Sequence, residues 1–196
     1  MRFQVLMASA MAMMSMAANA QVLSWQGVGP VRLGMTVAEA ERALNAKLAP
    51  VALPFSKECY VTGRADGKDE ALAYVIQNAK IVVMTVFLRD YSQPNPNIVD
   101  ANGIGVGSTE ADIRRGYEKV KKELAPDFRE SEADLAEAAK ERARHGISEP
   151  EPSPHYWIIA QSPDHRRAII FETQDGKVLD LKIGLKPYVM SSEDCI

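Results

Sequence analysis

Two stretches of the chain carry apolar residues at spacings of three and four, and the same short turn precedes each. Val37, Ala40, Leu44 and Leu48 mark the first stripe; Ile113, Tyr117, Val120 and Leu124 mark the second. Such spacing predicts two amphipathic helices, each with one face turned to a core. Thr36 with Glu39, and Thr109 with Asp112, place a hydroxyl at the N-cap and an acid three positions later. That is the pattern of a capping box, and the acid also meets the helix dipole favourably. Pro50 and Pro126 are read as the stops.

The pattern then changes to strands. Leu72 to Gln77 and Lys80 to Leu88 read as one hairpin, and Ala168 to Thr173 and Val178 to Ile183 as another, with Asp175-Gly176 at the second turn. Cys59-Tyr60-Val61 and Tyr156-Trp157-Ile158-Ile159 supply a further strand before each hairpin. The grammar of turn, helix, strand and hairpin therefore occurs twice. Gly34-Met35-Thr36 answers Gly107-Ser108-Thr109, Arg42 answers Arg115, and Gln77-Asn78-Ala79-Lys80-Ile81 answers Gln174-Asp175-Gly176-Lys177-Val178. One small amphipathic sheet cannot bury its own face, so the helices or the other repeat must complete it.

The predicted organisation is a leader at 1–20, a first α+β repeat at 21–92, a linker at 93–102 and a second α+β repeat at 103–196. A charged helix near 131–146 is inserted in the second repeat, with Gly146 as its stop. Its charge run reads as a solvated face, and Pro150, Pro152 and Pro154 lead back to the sheet. The leader has one cation, Arg2, then an apolar Met- and Ala-rich run ending in Ala18-Asn19-Ala20, the pattern of a secretory signal peptide. The expected working chain is Gln21 to Ile196, in the periplasm or secreted. No later apolar run approaches the ~18 residues that mark a candidate membrane span, and no Cys follows the leader to take a lipid.

Composition narrows the function classes. The formal charge is −3, one unit more negative once Arg2 is removed, which argues against a nucleic-acid binder that must neutralise many phosphates. Cys59 and Cys195 are the two cysteines. In an oxidising compartment they favour one intrachain disulfide, with a free pair or an interchain link as the alternatives. Neither lies in a CxxC pattern.

No catalytic, cofactor or metal set is predicted. His145, His155 and His165 sit ten apart, without the spacing of a metal site. Asp164-His165 is a candidate acid–base pair with no nucleophile tied to it. Gly27-Val28-Gly29 and Gly103-Ile104-Gly105-Val106-Gly107 lack the context of a phosphate loop, and no Ser stands in a nucleophile elbow. The candidate binding surface is instead Tyr60, Tyr74, Tyr156 and Trp157 in or beside the strands, with Arg166 and Arg167 as a charged rim. Core packing is the competing role for those aromatics. Trp25 is an anchor or part of a mobile tail.

The duplicated helix start Gly34-Met35-Thr36 and Gly107-Ser108-Thr109, followed by antiparallel strands, resembles the outer-membrane assembly lipoprotein BamE family. In duplicated form it resembles the β-lactamase inhibitory protein family. The resemblance implies tandem helix-and-sheet units forming a concave protein-binding surface. It points to a noncatalytic binding module in envelope assembly or maintenance, with an enzyme inhibitor as the near alternative. A small hydrolase is the alternative from another class.

Overall fold

The computed structural model describes residues 21–51, 56–68, 71–87, 98–126, 140–141, 143–146 and 153–191. The leader at 1–20, the segment Tyr91–Asn97 and Cys195 lie outside the described residues. The chain is a two-unit α+β structure, in which each unit contributes one helix and four strands to a shared antiparallel sheet.

In the first unit, α1 (Val37–Leu44) is followed by β4 (Leu48–Pro50), β5 (Cys59–Arg64), β6 (Leu72–Gln77) and β7 (Lys80–Val86). In the second, α2 (Glu110–Gly116) is followed by β9 (Val120–Leu124), β10 (Tyr156–Gln161), β11 (Arg167–Gln174) and β12 (Lys177–Leu185). The eight strands run in the order β4-β5-β6-β7-β12-β11-β10-β9, so β7 and β12 form the seam and β4 and β9 the two edges. A second, small sheet has the order β3-β2-β1-β8, from β1 (Gln21–Ser24), β2 (Gly27–Val28), β3 (Val31–Arg32) and β8 (Ile98–Asp100).

The sequence repeat is a structural repeat down to single hydrogen bonds. Gly34 N–H donates to Ile81 O and Ile81 N–H to Met35 O; Gly107 N–H donates to Val178 O and Val178 N–H to Ser108 O. Each helix start thus clips onto the hairpin of its own unit, and the isolated bridges Thr36↔Lys80 and Thr109↔Lys177 repeat the match. Both hairpins turn through two residues of positive φ, Asn78-Ala79 and Asp175-Gly176, as a two-residue hairpin turn requires. Across the seam, exchanging the units carries Leu181↔Val86 onto Ile183↔Met84 and leaves Lys182↔Thr85 on the axis. The seam is therefore a local pseudo-twofold.

Both capping boxes form. Thr36 N–H and Oγ1–H donate to Glu39 Oε2 at 2.8 and 2.9 Å, and Thr109 N–H and Oγ1–H donate to Asp112 Oδ2 at 2.9 and 2.7 Å. These bonds favour the ionised acid. The backbone bond to Thr36 chiefly lowers the Glu39 pKa from 4.5, and the side-chain bond to Thr109 chiefly lowers that of Asp112 from 3.8. A folded-state pKa below the unfolded one gives stability that is complete above the unfolded value and lost as pH falls through the folded one. Acidification from neutral pH through 4.5 and 3.8 is therefore expected to lower the urea midpoint. A Glu39→Gln/Asp112→Asn variant should show a shallower acid limb; an identical limb would refute the link.

The helices are shorter than the stripes suggest. Asn45 adopts a left-handed conformation, φ 48°, and ends α1, so Leu48 belongs to a strand. Gly116 ends α2, and Tyr117 is already extended, so Val120 and Leu124 also belong to a strand. A spacing of four keeps residues on one face in a strand as well as in a helix, which is why the stripes ran on. Gly116 is required where it stands, since a Cβ there would lie 2.7 Å from Ile104 Cδ1. Within the span read as a linker, Ile98–Asp100 pairs in parallel with β1. Of the inserted helix, Lys140, Glu141, Ala143 and Arg144 are helical, and Gly146 follows with φ 65°.

The sheet is buried on both faces. On one side, Tyr74, Ile76, Met84, Ile158, Phe171, Leu181 and Ile183 pack with Ala40 and Ile113 of the helices and Leu23 and Ile98 of the small sheet. Trp25 meets Tyr117 edge-on at 6.0 Å, and Tyr117 meets Phe171 at 5.6 Å, so Trp25 is an anchor. On the other side, Val75, Val83, Trp157, Ile159 and Ile170 form a second buried cluster with Val189 of the 3-10 helix Tyr188–Met190.

The disulfide expectation is corrected. Cys59, 5% exposed, is the only cysteine among the described residues, so no disulfide joins two of them. It is not a free thiol either.

Candidate functional site

Each unit has a place between the first residue of its helix, its outermost strand and a tyrosine near the start of the next strand. In the first unit this space is an open groove of about 660 Å³, lined by Val37, Leu48, Pro50, Tyr60 and Thr62, with Ser56 and Lys57 at its rim. That volume lies within the range of about 300–1,000 Å³ common to ligand pockets. Lys57 is the single charge of the lining.

Strand register identifies the matching positions in the second unit. Pro50 pairs with Thr62 as Lys122 pairs with Ile158, and Tyr60 pairs with Ile76 as Tyr156 pairs with Thr173. Val37 and Glu110 each follow the N-cap threonine. The second unit fills the space. Lys122 Nζ lies 2.8 and 3.0 Å from the two Glu110 carboxylate oxygens and 4.1 Å from the centre of the Tyr156 ring. Thr173 Oγ1–H, fully buried, donates to Glu110 Oε1 at 3.1 Å. An ion pair over an aromatic face thus stands where the first unit has Val37, Pro50 and an uncovered flank of Tyr60.

Two positions on the edge beside the groove offer no free N–H. Pro50 has no N–H, Leu48 N–H donates to Glu41 Oε1 at 3.0 Å, and Ala49 O accepts from Thr62 Oγ1–H at 2.8 Å. A second cleft, about 530 Å³, lies beside α2 and is polar, but its Arg115 Nη1 is bonded to Asp112 at 2.9 Å. Beneath it Asp100, 2% exposed, accepts from Tyr117 Oη at 2.6 Å and from the N–H groups of Asn102 and Ile104 at 2.8 Å. Burial, then this carboxylate, push the Tyr117 pKa far up.

The residues singled out in the sequence do not assemble into one surface. Tyr60 lines the groove and Tyr156 lies under Lys122. Tyr74 and Trp157, 1% and 2% exposed, are core residues and offer no area to a partner. Arg166 is exposed, and Arg167 Nη1 lies 3.2 Å from Asp164. Asp164 and His165 do not pair: Asp164 accepts from Ser162 Oγ–H at 2.6 Å, chiefly the bond that lowers its pKa, while His165 Nδ1 lies 3.0 Å from Gln161 Oε1. His145 meets Glu141 at 3.1 Å on the surface.

One cluster was missed. His155 Nδ1 lies 2.6 Å from Glu172 Oε1, Trp157 Nε1–H donates to Glu172 Oε2 at 3.1 Å, and Lys182 Nζ stands 4.4 Å from the centre of the Trp157 ring. Among the described residues no group of His, Cys, Asp and Glu is placed to hold a metal ion, and no helix is long and apolar enough to cross a membrane. No family model, curated protein or solved structure matches the chain.

Proposed function

We propose that this chain is an exported, noncatalytic protein-binding module, and that the groove of its first unit receives an apolar side chain of the partner. The observation that carries the reading is the broken symmetry. Two units alike in their capping boxes and turn hydrogen bonds differ at this matching place: Glu110, Lys122 and Tyr156 close the second, while Val37, Pro50 and Tyr60 leave the first open. Apolar surface left exposed in this way is gained as binding energy when a complementary group covers it. The likeness to BamE and to the β-lactamase inhibitory protein family gives envelope assembly, and next to it enzyme inhibition, as the setting.

The test transplants the closure. A Val37→Glu/Pro50→Lys variant reproduces the Glu110–Lys122 pair beside Tyr60. Wild-type and variant protein are crosslinked in intact cell envelopes and their partners identified by mass spectrometry. A saturable partner retained at least ~10-fold better by the wild type, a difference of about 1.4 kcal/mol, is the expected result. Equal retention by a variant with the wild-type melting temperature would overturn the assignment of the groove.

A further inference from the structure

Gln21, the first described residue and a member of β1, follows Ala18-Asn19-Ala20 in the sequence. We infer that in the exported protein Gln21 is the amino terminus and is cyclised to pyroglutamate. The inference rests on the export reading above and adds to it the chemical state of the terminus.

The reaction needs no partner beyond Gln21 itself. The α-amine attacks the side-chain carbonyl carbon Cδ; the N–Cδ bond forms, the Cδ–Nε2 bond breaks, and Nε2 leaves as ammonia with a proton from the amine. No atom changes oxidation state. An α-amino group has a pKa of about 7.7–8.0, so an appreciable share is unprotonated near neutral pH. Closure of a five-membered ring is intramolecular and favoured for that reason.

The surroundings of Gln21 suit the change. Its Oε1 is buried without a hydrogen-bond partner, so this oxygen does not anchor the amide against rotation into the ring. The side chain lies over Gly29, where an added Cβ would sit 3.2 Å from Oε1 and 3.7 Å from Cδ; the space exists because residue 29 has no side chain. The main chain of Gln21 pairs with Ile98, which is 1% exposed. A free terminus carries an ammonium, whereas the lactam carries no charge. Cyclisation also blocks aminopeptidases at a strand whose Leu23 is fully buried in the core.

The test is mass spectrometry of the protein produced from the full chain and recovered after export, with amine labelling of its N-terminal peptide. The expected wild-type peptide starts at Gln21, is lighter by one ammonia and takes no amine label. A Gln21→Asn variant, whose shorter side chain would have to close a strained four-membered ring, should keep its mass and take the label. A wild-type peptide that starts at Gln21 with full mass and a labelled amine overturns the inference and leaves export standing. A chain that starts at another residue overturns the inference alone, and one that keeps residues 1–20 and stays inside the cell overturns the export reading as well.

Discussion

Trp157→Ala is expected to lower the unfolding free energy by about 3–5 kcal/mol, the range for emptying a large aromatic site in a core. The indole is 2% exposed on the sheet face away from the helices. Its removal takes away the Nε1–H bond to Glu172 and the ring under Lys182, leaving two charged groups beside a cavity. Trp157→Phe keeps most of the packing and removes the N–H donor, at a cost of about 1 kcal/mol. Urea unfolding of the two variants separates packing from the hydrogen bond. If Trp157 were a surface contact, the alanine variant would unfold like the wild type, within ~0.5 kcal/mol.

Gly184→Ala is the second large effect, at about 2–3 kcal/mol, and it acts at the seam. A Cβ on Gly184 would lie 2.8 Å from Val189 Cβ, 2.9 Å from Val82 O and 2.9 Å from Val83 Cγ2. One of these is backbone and the others belong to stiff, β-branched side chains, so the clash cannot be relieved by a rotamer change alone. Gly184 pairs with Val83 across β7·β12, the contact that unites the two halves of the large sheet. The variant is expected to unfold at lower urea; an unchanged midpoint would show that the 3-10 helix lifts off the sheet without cost.

The parts of the fold legible in the sequence are those fixed by local chemistry. Thr36 with Glu39 and Thr109 with Asp112 cap helices wherever they stand, and Asp175-Gly176 has few conformations open to it except a tight hairpin turn. The strands of the small sheet were hidden because two-residue elements such as Gly27–Val28 and Val31–Arg32 have no period to read. Leu72 to Ile76 is buried at every position, a sign of a strand covered on both faces rather than of an aromatic contact surface. That run explains why Tyr74 lies inside. His155 and Glu172 are 17 residues apart and meet through the antiparallel pairing of β10 with β11. The groove was not legible, because its contrast with the second unit depends on register: only the pairings of Pro50 and Lys122 show that they hold the same place.

The most direct measurement is photo-crosslinking with benzoylphenylalanine placed at Tyr60 in one protein and at Tyr156 in another, since the two rings occupy matching positions. With both proteins exported and folded, irradiation of intact envelopes should give a partner adduct from position 60 and none from position 156. Equal adducts from the two sites, or an adduct from 156 alone, would contradict a binding groove confined to the first unit.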